Sequence, residues 1–120
     1  MPFRRILQEL VQSTDGAVGA IFLDSEGETV QLVSAEGLAP DDLRFVGAWQ
    51  GIFLAHLRNV CSELQAGPPR RFKIEFARAA VLSCDLKDGY YVVLLVKPAT
   101  NEGVAWHRLH QCRDSLLAEM

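Results

Sequence analysis

Residues Asp41 to Gln65 read as one long helix with more apolar surface than a single core can use. At 100° per residue, Leu43, Phe45, Val46, Trp49, Ile52, Phe53, Leu54, His56, Leu57, Val60, Cys61 and Leu64 sweep an arc of roughly 200°, where a surface helix needs about 100°. A second surface is expected to bury the excess, so the chain reads as part of an assembly. The centre of the arc, Val46, Phe53, Leu57 and Leu64, is expected to face the chain's own sheet. Phe45, Trp49, Ile52 and His56 form one margin that can face a partner. Gly47, Gly51 and Ala55 form a separate strip at i, i+4 and i+8, where small side chains let two helices approach closely. Each interior glycine costs a helix about 1 kcal/mol relative to alanine, which calls for a packing reason. The residues leave open whether the aromatic margin or the small strip makes the contact.

The rest of the chain limits what that assembly can be. A length of 120 residues fits one domain, 1–120, with a modest core. A net charge of −3, with 49% hydrophobic and 22% charged residues, describes a globular protein and argues against extended binding to nucleic acid phosphates. No stretch has the length of a signal peptide or a membrane span, so no membrane partner and a cytoplasmic location are expected. Cys61, Cys84 and Cys112 are odd in number, far apart and set among apolar residues. They read as buried free thiols rather than a disulfide framework or a zinc site.

Periodicity supplies the other elements. Phe3, Ile6, Leu7, Leu10 and Val11 share one helical face over about residues 3–14, and Gly16 ends that helix. Residues 17–23 and 28–33 form a hairpin around Asp24, Ser25, Glu26 and Gly27. A loop covers residues 36–40, with Asp41 or Asp42 as cap of the long helix and Gly67, Pro68 and Pro69 as its end. Phe72, Ile74 and Phe76 alternate with Arg71, Lys73 and Glu75, as in a strand with one buried face. That strand can be an uncovered edge open to pairing or an internal core strand. Residues 79–86 and 90–97 are two more strands, and Tyr90 to Val96, apolar on both faces, is expected to lie centrally. A last helix starts near Thr100 or Asn101, with Ala105, Leu109, Cys112, Leu116 and Leu117 inward. The order predicts a small α+β domain with an antiparallel sheet and helices over both faces.

The segment Thr14-Asp15-Gly16-Ala17-Val18-Gly19-Ala20-Ile21-Phe22-Leu23-Asp24-Ser25-Glu26-Gly27, the segment Lys87-Asp88-Gly89-Tyr90-Tyr91-Val92-Val93-Leu94-Leu95-Val96 and the order of elements resemble the Roadblock/LC7 domain family. The likeness extends over nearly the whole chain, which looks like a bacterial member of the sort found in the Mgl polarity and motility system. It implies a helix-strand-strand-helix-strand-strand-strand-helix fold, with five antiparallel strands, first and last helices on one face and the middle helix on the other. It also implies a homodimer joined through the middle helix and third strand, where Phe72, Ile74 and Phe76 would add to the helix residues. Its implied role is a non-catalytic adaptor or regulator that contacts a Ras-like small GTPase or another Roadblock-family protein.

Catalytic signals are weak beside this. His107 and His110 lack a third ligand at useful spacing, and Cys112 and His110, two apart on a helix, point in different directions. No GxxxxGK[ST], GxGxxG or GxSxG motif is present, so no enzyme activity, cofactor or metal is expected. An arginine finger from Arg70, Arg71 or Arg78 is chemically conceivable, but a solvated strand end explains these residues more simply. The competing reading is a small-ligand sensor with a pocket between the sheet and the middle helix.

Overall fold

The computed structural model describes residues 2–35 and 37–120, so Glu36 of the expected loop lies outside the described residues. The elements are α1 (Pro2–Ser13), β1 (Ala17–Leu23), β2 (Thr29–Ser34), α2 (Pro40–Leu64), β3 (Arg71–Glu75), β4 (Ala80–Asp85), β5 (Tyr91–Val96) and α3 (Glu102–Glu119). Gly16 takes a left-handed φ of 92° at the end of α1, a conformation that is costly for residues with a Cβ. At the first hairpin, Asp24 Oδ1 accepts the backbone N–H groups of Glu26 at 2.9 Å and Glu28 at 3.0 Å, folding the polar turn back on itself. Asn101 caps α3, its Oδ1 accepting from Val104 N at 3.0 Å.

The start of α2 differs from expectation. Its N-cap is Ala39, which makes no side-chain cap, and Pro40 opens the helix ahead of Asp41 and Asp42. Proline suits that position because its φ is already helical and its missing N–H would have had no partner within the helix. The two aspartates lie in the first turn, where they complement the positive end of the helix dipole. At the other end, Gln65 adopts a left-handed φ of 53° and closes the helix two residues before Gly67.

All five strands pair antiparallel in the order β2-β1-β5-β4-β3. The all-apolar β5 is therefore central, and its six residues are buried. The strand carrying Phe72 and Ile74 is an edge, which settles the alternative left open by its alternating pattern.

Two cores form on opposite faces of the sheet. Leu7 and Leu10 of α1 join Leu109 and Leu116 of α3 over Phe22, Leu82, Val92 and Leu94. Leu43 and Leu54 of α2 lie over Ile21, Leu23, Val81, Tyr91 and Val93. Each such side chain contributes about 1.5–3 kcal/mol by leaving water. The middle helix packs over β1, β2 and β5. Phe72 and Ile74 share its side of the sheet, because their register partners Ser83 and Val81 contribute to the core beneath it, yet both remain half-buried.

Candidate interaction site

The inward face of α2 is made by Leu43, Gly47, Gln50 and Leu54. This corrects the expectation that Val46, Phe53, Leu57 and Leu64 form its centre: the first three are half-buried and Leu64 is 71% exposed. The apolar arc pointed to the wrong centre because two of the true core positions are a glycine and a glutamine. Gln50 is accommodated by its Oε1, which accepts the hydroxyl of buried Ser83 on β4 at 3.1 Å.

Gly47 and Gly51 require a second correction. A Cβ on Gly47 would lie 3.0 Å from Leu23 Cδ2 and 3.1 Å from Ile21 Cγ2, and one on Gly51 would lie 2.4 Å from the Tyr91 hydroxyl oxygen. That hydroxyl donates to Gly47 O at 2.9 Å. The glycines let α2 descend onto β1 and β5 of its own sheet, so they are not a seam for a second helix. Burial raises the Tyr91 phenol to about 12, which keeps it a hydrogen-bond donor. Ala55, the third member of the strip, is exposed and flanks a cleft shared with the first hairpin turn.

The aromatic margin lies outside the core, with Phe45 66%, Trp49 44% and Ile52 45% exposed, and His56 beside them. Phe45, Trp49 and Phe53 form a chain of ring contacts with centroids 6.3 and 6.0 Å apart. Val60 and Leu64, also exposed, continue the apolar surface toward the helix end. On β3, Phe72 and Ile74 present half-buried side chains and Phe76, just beyond the strand, is 56% exposed. The molecule thus exposes apolar side chains both on a flank of α2 and at the edge strand β3. The apolar arc placed Phe53 and Leu64 inward, but Phe53 is only half-buried and Leu64 is exposed.

The other face of β3 is polar and braced against α3. Lys73 Nζ lies 2.6 Å from Glu75 and 2.9 Å from Glu102, hydrogen bonds that raise the lysine's pKa; the same lysine contact lowers that of Glu102. The Arg71 guanidinium lies 4.6 Å from the centroid of the Trp106 ring and 3.0 Å from His110 Nε2. Burial, then the neighbouring Arg71, holds His110 below the usual imidazole range. Burial also raises the thiols of Cys84 to about 11 and Cys112 to about 12, leaving both protonated and poorly nucleophilic at neutral pH. Among the described residues, no three His, Cys, Asp or Glu side chains are placed to hold a metal, and no helix is long and apolar enough to cross a membrane.

An antiparallel five-stranded sheet, with α1 and α3 on one face and α2 on the other, defines a recognisable class. The chain has the Roadblock/LC7 fold. Superposition on a Roadblock/LC7 domain from Streptomyces avermitilis gives a TM-score of 0.84 at 17% identity, covering 93% of this chain and 92% of that one. The gliding protein MglB of Thermus thermophilus gives 0.87 at 14% identity, over 98% and 87% of the two chains. MglC of Myxococcus xanthus gives 0.70 at 22% identity and covers both chains in full, 100% each. No protein-family sequence profile and no curated protein sequence matches the chain.

Proposed function

We propose that this chain is a non-catalytic, homodimeric Roadblock-type adaptor or regulator in a small Ras-like GTPase pathway of bacterial polarity or motility. In this reading it contacts the GTPase or another Roadblock-family protein. The observation that carries the proposal is the exposed apolar flank of α2 on a domain whose edge strand β3 is paired on one side only, with β4, among the described residues. The fold shared with MglB and MglC supports the pathway.

The sequence of β3 supports a symmetric pairing. Turned antiparallel on a second copy about Lys73, Arg71 meets the partner's Glu75 and Phe72 meets the partner's Ile74, giving opposite charges and apolar pairs at the matched positions. Lys73 meets its own copy, and the carboxylates of Glu75 and Glu102 offset that repulsion. This pairing places the second copy beside α2 on the strand side. Trp49, Phe53, Val60 and Leu64 then join Phe72, Ile74 and Phe76 in the seam, while Phe45, Ile52 and His56 point away from it. The space a sensor pocket would need between sheet and α2 is filled by Leu43, Leu54, Val81, Tyr91 and Val93.

Light scattering tests the dimer. The wild-type chain is expected at twice its mass of 13.3 kDa, and Trp49→Asp at the monomer mass, because an unpaired charge in a desolvated seam is strongly unfavourable. A wild-type chain that stays monomeric at high concentration overturns the reading. Affinity capture from native cells, with GDP and with a GTP analogue, tests the partner. Nucleotide-dependent recovery of a Ras-like protein supports direct contact, and recovery of another Roadblock protein in both states supports an indirect role.

A further inference from the structure

Arg71 is an exposed residue of the edge strand β3 whose guanidinium is nonetheless held by α3. It lies 4.6 Å from the centroid of the Trp106 ring and 3.0 Å from His110 Nε2. The second contact fixes the state of the imidazole. A guanidinium only donates, so Nε2 accepts, which a ring carrying both protons cannot do. His110 is therefore neutral in this arrangement, with its proton on Nδ1. A second proton would set two cations side by side without a shared acceptor and break the contact. The aromatic platform would stay, because Trp106 Nε1 donates to Glu102 at 3.3 Å and Glu102 is held by Lys73 at 2.9 Å.

The other groups around His110 are engaged elsewhere or stay uncharged. On α3 itself, Arg113 and His107 oppose a further positive charge and Asp114 favours one. Arg113 Nη1 lies 3.5 Å from Asp114 Oδ1, and its Nε donates to Asp85 O at 3.0 Å. From β4 come Cys84, whose buried thiol stays protonated, and Asp85, whose carboxylate turns to Arg58 of α2 at 2.8 Å. The helix α1 meets the opposite flank of α3, where Glu9 and Arg108 line a shared groove. Arg71 is thus the neighbour of His110 that stands on a strand edge.

In the symmetric pairing about Lys73, the reading on which this inference rests, the partner's Glu75 stands opposite Arg71. Directly opposed residues of antiparallel strands have Cβ atoms about 4.5–5.5 Å apart, within reach of a guanidinium and a carboxylate. Lys73 keeps Glu102 when Glu75 turns to the other copy. The carboxylate either draws Arg71 away from His110 or offsets its charge in place, and both make a protonated imidazole less costly. Pairing therefore raises the His110 pKa above its value in the free chain, and by linkage protonation strengthens pairing. The gain is complete below the lowered value of the free chain and is lost as pH rises through the value in the pair. We infer that Arg71 and His110 form an acid-sensitive latch on the β3 edge, holding Arg71 on α3 while His110 is neutral and releasing it to a second copy when His110 is protonated.

The test is the dissociation constant of the full-chain dimer, measured by sedimentation equilibrium at constant ionic strength. Samples at about pH 7.5 and about pH 5.5 lie either side of the ordinary imidazole pKa of about 6.5. The wild-type chain is expected to associate at least about fivefold more tightly at the lower pH. His110→Gln keeps an acceptor for Arg71 but takes up no proton, and should abolish the change. His56→Gln and His107→Gln, both on exposed side chains, should preserve it, which separates the latch from the general loss of negative charge on acidification. An NMR titration of the wild-type chain gives a readout that needs no variant: the His110 pKa should be higher in a concentrated, dimeric sample than in a dilute one. A dimer that ignores pH, weakens on acidification, responds equally in His110→Gln, or leaves the His110 pKa unmoved overturns the latch and leaves the dimer standing. A chain that stays monomeric at both pH values overturns the dimer, and the latch with it.

Discussion

Replacing Gly51 with alanine should destabilise the domain without weakening its self-association, although alanine is the better helix former. Propensity alone favours Gly51→Ala by about 1 kcal/mol. Against this, the new methyl would stand 2.4 Å from the Tyr91 hydroxyl oxygen and 3.0 Å from its ring carbon Cζ. Tyr91 is 2% exposed and is tethered by its bond to Gly47 O, so the ring has little room to retreat. Overpacking of this kind costs about 1–3 kcal/mol, and breaking the tether about 1 kcal/mol more, giving a net loss of about 1–3 kcal/mol. Gly47→Ala is the graded control. Its methyl meets the ends of Leu23 and Ile21 at 3.0–3.2 Å, atoms that can yield by a few tenths of an ångström, and its effect should fall within about 1 kcal/mol of zero.

Tyr91→Phe completes the cycle. Alone it should lose about 1 kcal/mol with its hydrogen bond, but it also removes the atom that Gly51→Ala strikes. The double variant should therefore be more stable than the sum of the singles by about 1–2 kcal/mol. Urea unfolding followed by circular dichroism measures each term, at one fixed protein concentration because association adds to apparent stability. Additive effects would refute the contact. A weaker dimer with unchanged domain stability would return Gly51 to the seam between copies.

Three further outcomes follow from the geometry. Arg71→Glu and Glu75→Arg should each weaken the dimer in sedimentation equilibrium and together restore it; a double variant no better than the singles rules out the register centred on Lys73. Cys84 and Cys112 should resist a disulfide reagent at pH 8 until the chain is unfolded, and rapid labelling of either in the native state would contradict their burial. His110, held low by burial and Arg71, favours folding above its ordinary pKa of about 6.5 and loses that contribution as pH falls through and below it. An NMR titration should place it below 6.5, and Arg71→Ala should move it upward; no movement would remove Arg71 as a cause.

The element order was legible because it depends on local chemistry: Gly16 and Asp24 shape turns, Asn101 caps a helix, and the all-apolar β5 has only the sheet centre to occupy. The rotation of α2 was not legible, because side-chain hydropathy is a poor guide where burial is achieved by absence of a side chain, as at Gly47, or by a hydrogen bond, as at Gln50. Ser83 is distant in sequence and gives no sign of being Gln50's partner. The edge position of β3 was equally hidden, since alternation of Arg71, Phe72, Lys73 and Ile74 describes one buried face and says nothing of neighbours in the sheet.

The Gln50–Ser83 bond has a consequence at the opposite side of the helix. If α2 rolled by one residue, a buried amide would lose its partner in a place water does not reach, so this bond joins the Tyr91 tether to Gly47 O in holding the bearing of the whole cylinder. Phe45 and Ile52 hold their heading partly because of an atom they never touch. Variation at Gln50 would therefore act on the outer face from within, turning its residues out of alignment while leaving every one of them in the sequence.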